Sequence, residues 1–115
     1  MSKRANRYVI SCVVGLLIQF CSSASFAEKP SFELVIRDHL FHPSELIVPA
    51  GKKIKLIVIN EDPTPEEFES YELNREKVIL GGRKTVIFIG PLKPGGYPFF
   101  GEFNMTTAQG KIIAK

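Results

Sequence analysis

The sequence predicts an all-β protein: one small sandwich of about seven short antiparallel strands. Three observations carry this. Apolar and polar residues alternate in short runs, as at Phe32, Leu34 and Ile36 and again at Ile54, Leu56 and Val58. Gly and Pro punctuate those runs, at Pro49-Ala50-Gly51, Gly81-Gly82 and Pro94-Gly95-Gly96. Helical periods are few.

The chain opens on a different pattern. Lys3, Arg4 and Arg7 make a basic start, and Tyr8 to Phe20 is a mostly apolar run too short to span a bilayer. Ser25-Phe26-Ala27 places small residues three and one before a cut. Residues 1–27 therefore read as a secretory signal. Residues 28–115 read as the mature domain, periplasmic and not membrane-spanning. A lipoprotein is disfavoured, because Phe20 precedes Cys21 and Cys12 comes too early in the apolar run.

Within the mature domain the first strand is Phe32–Arg37 and the second Leu46–Val48. Pro49 to Lys52 forms a tight turn, and the third strand runs from Lys53 to Asn60. Then comes a long connection, Glu61 to Glu76, where a short helix is expected. Thr64 is a suitable N-cap, Pro65 suits the first helical position, and Glu67 can reach back as a capping box. Lys77–Leu80 and Thr85–Ile89 follow as strands, separated by Gly81-Gly82. Tyr97–Phe100 and Lys111–Ala114 complete the set. The pattern is that of an antiparallel sandwich with one core.

Composition narrows the function. The two cysteines, Cys12 and Cys21, both lie in the signal, so the mature domain has no disulfide and no thiolate. It carries twelve basic and twelve acidic residues and is neutral overall, which gives a nucleic-acid partner no electrostatic support. No Ser-His-Asp spacing, phosphate-binding glycine loop or CxxC pair is present.

The strongest chemical signal is the connection itself. Seven carboxylates fall within the sixteen residues Glu61 to Glu76, more than half of the twelve in the chain. On the expected helix Glu67 is a cap, while Glu72 and Glu76 are solvated charges that Arg75 and Lys77 can neutralise. Glu66 and Glu69, three apart, share one helical face, and like charges so placed invite a cation between them. Two histidines, His39 and His42, follow the first strand. His39 comes directly after Asp38, a carboxylate able to orient its ring, and is preferred over His42 as a ligand.

The C-terminal stretch Pro94-Gly95-Gly96-Tyr97-Pro98-Phe99-Phe100-Gly101-Glu102-Phe103-Asn104-Met105, with Gly110 opening the last strand, resembles the final hairpin of a cupredoxin. Phe41-x-Pro43-x-x-Leu46-x-Val48-x-x-Gly51-x-x-Ile54-x-Leu56-x-Val58-x-Asn60 resembles that family's N-terminal half. The resemblance implies a cupredoxin-like Greek-key β-sandwich. Gly101 stands where the family's Cys ligand would be, Asn104 where its His would be and Ala108 where its Met would be, so no type 1 copper is expected. Pro65-Glu66-Glu67-Phe68-Glu69-Ser70, Leu73-Asn74-Arg75-Glu76-Lys77-Val78 and Gly101-Glu102-Phe103 are similar to cupredoxin-like proteins of bacterial periplasmic iron uptake, which accompany a high-affinity iron permease. That resemblance implies an iron or copper ion held by carboxylate and imidazole. Its partners would be the inner-membrane iron permease and other periplasmic iron-uptake components. The candidate metal ligands are Glu66, Glu69, His39, Glu102, Asn104 and Met105. The alternatives are a metal-free interaction module docking on iron-transport partners, and a ferroxidase subunit.

Overall fold

The computed structural model describes residues 29–115; the predicted signal, with Cys12 and Cys21, lies outside the described residues. Among the described residues nine strands form two packed sheets. In chain order they are β1 (Ser31–Arg37), β2 (Leu40–His42), β3 (Glu45–Val48), β4 (Ile54–Asn60), β5 (Glu66–Ser70), β6 (Arg75–Ile79), β7 (Lys84–Ile89), β8 (Gly95–Gly101) and β9 (Gln109–Ala114). A single 3-10 turn, Glu102–Asn104, follows β8. One sheet has the order β2-β1-β4-β7 and the other β3-β9-β8-β5-β6.

The period-two runs place the core. Leu34 and Ile36 of β1, Ile54, Leu56 and Val58 of β4, and Ile87 and Ile89 of β7 turn inward from the first sheet. Leu46, Val48, Phe68, Phe99 and Ile112 meet them from the second. At the centre three rings interlock. Phe41 sits edge-on to Phe68 and Phe99, at centroid distances of 6.2 and 4.9 Å, while Phe68 and Phe99 stack at 5.1 Å. Such pairs add to area burial because ring edges and faces carry opposite partial charge.

Two expectations are corrected. The sandwich is not wholly antiparallel: β1 pairs in parallel with β4, and β3 in parallel with β9. And the connection from Glu61 to Glu76 holds no helix. Its middle is β5, hydrogen-bonded to β6 on one side and β8 on the other. The local helix-start signals lose to tertiary pairing. Thr64 before Pro65 is extended whether it caps a helix or leads into a strand, so this signal does not decide between them. The Asn60 side chain then pins the loop, donating to the carbonyls of Thr64 (2.9 Å) and Ile79 (3.0 Å) and accepting from the Asp62 N–H. Packing Phe68 between the sheets decides the outcome, since propensity is worth only tenths of a kcal/mol per residue.

β2 is a further strand not expected from sequence. Its register, Val35 opposite His42 and Arg37 opposite Leu40, folds the chain back at Asp38 and His39. Both residues adopt left-handed angles, with φ of 54° and 58°. The buried Asp62 carboxylate receives both their N–H groups, at 2.8 and 3.0 Å, and holds the turn in that conformation. This brings the β1–β2 turn to the same end of the sandwich as Asn60, β5 and the 3-10 turn.

Candidate functional site

Because β5 is a strand, its side chains alternate between two faces. Glu66, Phe68 and Ser70 point in; Glu67 and Glu69 share the outer face. Glu76 on β6 lies directly opposite Glu69. On the other flank β8 ends at Gly101, opposite Phe68, and delivers Glu102 beside the outer face of β5. One carboxylate oxygen from each of Glu67, Glu69, Glu76 and Glu102 lies within 4.8 Å of the others. Like charges placed so closely across strands are destabilising unless protonated or bridged by a cation.

Their proton affinities reflect this. The hydrogen bond shared with Glu76, then burial and the neighbouring Glu102, push Glu67 up to about 7. Glu69 is also raised, chiefly by a hydrogen bond with Glu102, then by burial and the charge of Glu76. Among the described residues no lysine or arginine forms an ion pair with the cluster. Arg75, expected to neutralise its acidic neighbours, instead donates to the backbone carbonyls of Phe88 and Asn74.

The sequence-predicted ligands divide. Glu69 and Glu102 enter the cluster. Glu66 does not share a face with Glu69; it is 1% exposed and turned into the core. Its Oε1 accepts the N–H groups of Glu67 and Phe103, each at 2.9 Å, and its Oε2 accepts the Asn104 side-chain amide at 2.7 Å. Asn104 is thereby committed to Glu66. The Met105 side chain is exposed. His39 lies with Asp62, its Nδ1 3.6 Å from Oδ2, so Asp62 rather than Asp38 faces the ring. Burial raises Asp62, but the N–H groups of His39 and Asp38 and the electrostatic effect of His39 and Arg37 outweigh it, and its carboxyl sits below the usual range. Glu67 and Glu76 were missed as members of the cluster. Period-two reading of Glu66-Glu67-Phe68-Glu69-Ser70, with Phe68 as the core residue, finds Glu67.

The cupredoxin resemblance implies copper at this end, and the interior here does not fit a thiolate–copper centre. Gly101 supplies no side chain. A Cβ built on it would come 2.6 Å from Glu66 Cδ and 2.7 Å from the Ala108 methyl. A protein of residues 28–115 should therefore show no intense thiolate-to-copper absorption when titrated with Cu(II). A strong blue band in the visible spectrum would contradict this geometry.

The cupredoxin-like domain family matches residues 10–114. In the same direction, the chain is 48% identical over 81 residues to the uncharacterized protein RP394 of Rickettsia prowazekii (strain Madrid E). That match covers 70% of this chain and 65% of the relative, so the chain spans just under two thirds of the relative's length. Among solved structures, auracyanin A, a blue copper protein from Chloroflexus aurantiacus, superposes with a TM-score of 0.64 at 12% identity, covering 74% of this chain and 98% of that one. The metal-binding domain of the Cu(I)-exporting P-type ATPase CopA of Streptococcus pneumoniae D39 gives 0.62 at 17% identity, with 74% and 84% covered. The purple cupredoxin of Nitrosopumilus maritimus gives 0.57 at 15% identity, with 72% and 98% covered. At such identities these likenesses speak to the fold alone. Among the described residues no helix is long and apolar enough to cross a membrane.

Proposed function

Because the chain belongs to the cupredoxin-like domain family, we propose that it is a periplasmic, non-blue metal-binding protein that takes up iron as cargo on the outer face of β5. The observation that carries this is the convergence of Glu67, Glu69, Glu76 and Glu102, with oxygens within 4.8 Å of one another. An all-oxygen, anionic donor set favours hard cations over Cu(I). The resemblance of the Pro65–Ser70 and Gly101–Phe103 segments to iron-uptake proteins supports iron over other hard cations. The inner-membrane iron permease and its periplasmic companions are then the proposed partners.

The test is calorimetric titration with Fe(II) under anaerobic conditions, with Fe(III) in a chelate-buffered series. Glu69→Gln is expected to weaken binding at least tenfold, about 1.4 kcal/mol. Glu72→Gln, outside the cluster, should leave it unchanged. Equal affinity for wild type and Glu69→Gln would remove the cluster from the site.

A docking role is a second reading, favoured by the apolar side chains beside the cluster. Tyr71 is 73% exposed, and its ring lies 5.5 Å from that of Phe100; Phe103 is 51% exposed. Replacing Tyr71 and Phe103 together should then abolish partner binding while leaving metal affinity intact.

A further inference from the structure

We propose that Glu66 is a positioning residue: its buried carboxylate fills the space at Gly101 where the family's thiolate would stand, and it ties the Glu102–Asn104 turn to β5 so that Glu102 faces Glu67 and Glu69. For its consequence in metal affinity, the proposal rests on the reading of the cluster given above.

Three contacts make the tie. One oxygen of Glu66 receives two backbone N–H groups, one from Glu67 on its own strand and one from Phe103 in the turn. The other receives the Asn104 amide. All three partners donate, which is the pattern an acceptor-only carboxylate satisfies. The carboxylate also fills the direction in which a side chain at position 101 would grow, at 2.6 Å for Cδ and 2.8 Å for Oε2. A residue at Gly101 larger than glycine and a carboxylate at Glu66 are therefore mutually exclusive in this backbone. Glu66 draws strand and turn together with hydrogen bonds alone.

The consequence lies on the opposite face of the strand. Glu102 is the first residue of the turn, Phe103 the second and Asn104 the third. Two of the three are held by Glu66, so these hydrogen bonds, together with the Gly101–Phe68 pairing just before the turn, set the direction of Glu102. Backbone contacts from Thr107 and Ala108 to the Asn104 carbonyl close the far side of the turn. They do not reach β5.

The experiment compares wild type with Glu66→Ala, Asn104→Ala and Glu66→Gln by NMR and by Fe(II) titration. Glu66→Gln can keep both N–H contacts through its carbonyl oxygen and meet a flipped Asn104 through its amide. It is expected to stay within about threefold of wild-type affinity, an effect of under about 1 kcal/mol. In Glu66→Ala the Phe103 amide should exchange with solvent at least a hundredfold faster while Val58 in β4 stays protected. The nuclear Overhauser contacts between the Glu102 and Glu69 side chains should vanish, and Fe(II) affinity should fall tenfold or more. Asn104→Ala should give a smaller change of the same sign, and it serves if Glu66→Ala fails to fold. Retained Glu102–Glu69 contacts, with Phe103 unprotected, would overturn the positioning role. If wild type itself binds no Fe(II), the iron reading fails, yet the exchange and Overhauser results still decide for or against Glu66.

Discussion

Gly101→Ala is expected to destabilise the domain by about 3 kcal/mol, read as a lower urea midpoint at an unchanged slope. The reason is local and double-sided. The new methyl would sit 2.6 Å from Glu66 Cδ and 2.7 Å from the Ala108 methyl, both buried. Neither neighbour is a flexible tip. Ala108 has no side-chain freedom, and its backbone is fixed by the Gly101 N–H donating to its carbonyl at 2.7 Å. Glu66 can withdraw only by giving up contacts to Glu67, Phe103 and Asn104. Leaving buried donors unpaired costs more than the methyl gains by burial. The pair Gly101→Ala with Glu66→Ala should recover part of the loss, because one of the two clashes disappears. A loss below about 1 kcal/mol for Gly101→Ala would show that the interior can open, and with it the exclusion of a ligand side chain at this position would fall.

Position 101 also marks how far the sequence could be read. The sandwich was legible because its core residues repeat with period two, and because Gly51, Gly81 and Gly82 sit at the turns between strands. At Gly81 the close approach is visible: a Cβ there would clash with the Pro63 carbonyl oxygen. That position 101 offers no side chain was legible from Gly101. What occupies its place was not, because Glu66 is far away in sequence and its neighbourhood carries a sound helix-start signal. Thr64, Pro65 and Glu67 satisfy every local rule for a cap, and nothing in that window reveals that Phe68 will be claimed by Phe41 and Phe99. Once the helix is replaced by a strand, the partnership of Glu66 with Glu69 dissolves and Glu67 takes its place. The acidic concentration was therefore seen correctly and its geometry was not. A period of 3.6 and a period of two send the same four letters to different faces. Glu76 was hidden for a related reason: its role depends on the β5–β6 register, which a hairpin sets only after both strands exist.

Iron affinity at the cluster is expected to fall about a hundredfold between pH 7 and pH 5, because a carboxylate must lose its proton to bind a cation. Glu67, pushed up to about 7 first by Glu76, then by burial and Glu102, is the group that gates this. Each pH unit below that value leaves it deprotonated about tenfold less often, and the raised Glu69 adds in the same direction. Stability of the metal-free domain moves the opposite way. Glu67 titrates at 4.5 in its ordinary state and near 7 in the fold, so between those values the native protein holds a proton that the unfolded chain has released. The stability linked to that proton is fully present below pH 4.5 and is lost as pH rises through 7. The urea midpoint of the metal-free protein should therefore decline from pH 5 to pH 7.5. Asp62, held below the usual range, contributes in the other sense only at lower pH, when its carboxylate is protonated, and does not enter this window. Saturating Fe(II) should raise the midpoint most at pH 7.5, since a ligand stabilises the state it binds and the four carboxylates are then free to take it. Glu67→Gln should flatten the metal-free profile and weaken Fe(II) together. A midpoint that rises steadily from pH 5 to pH 7.5 in the metal-free wild type would mean that these carboxylates do not share protons, and that the outer face of β5 is only a solvated acidic surface.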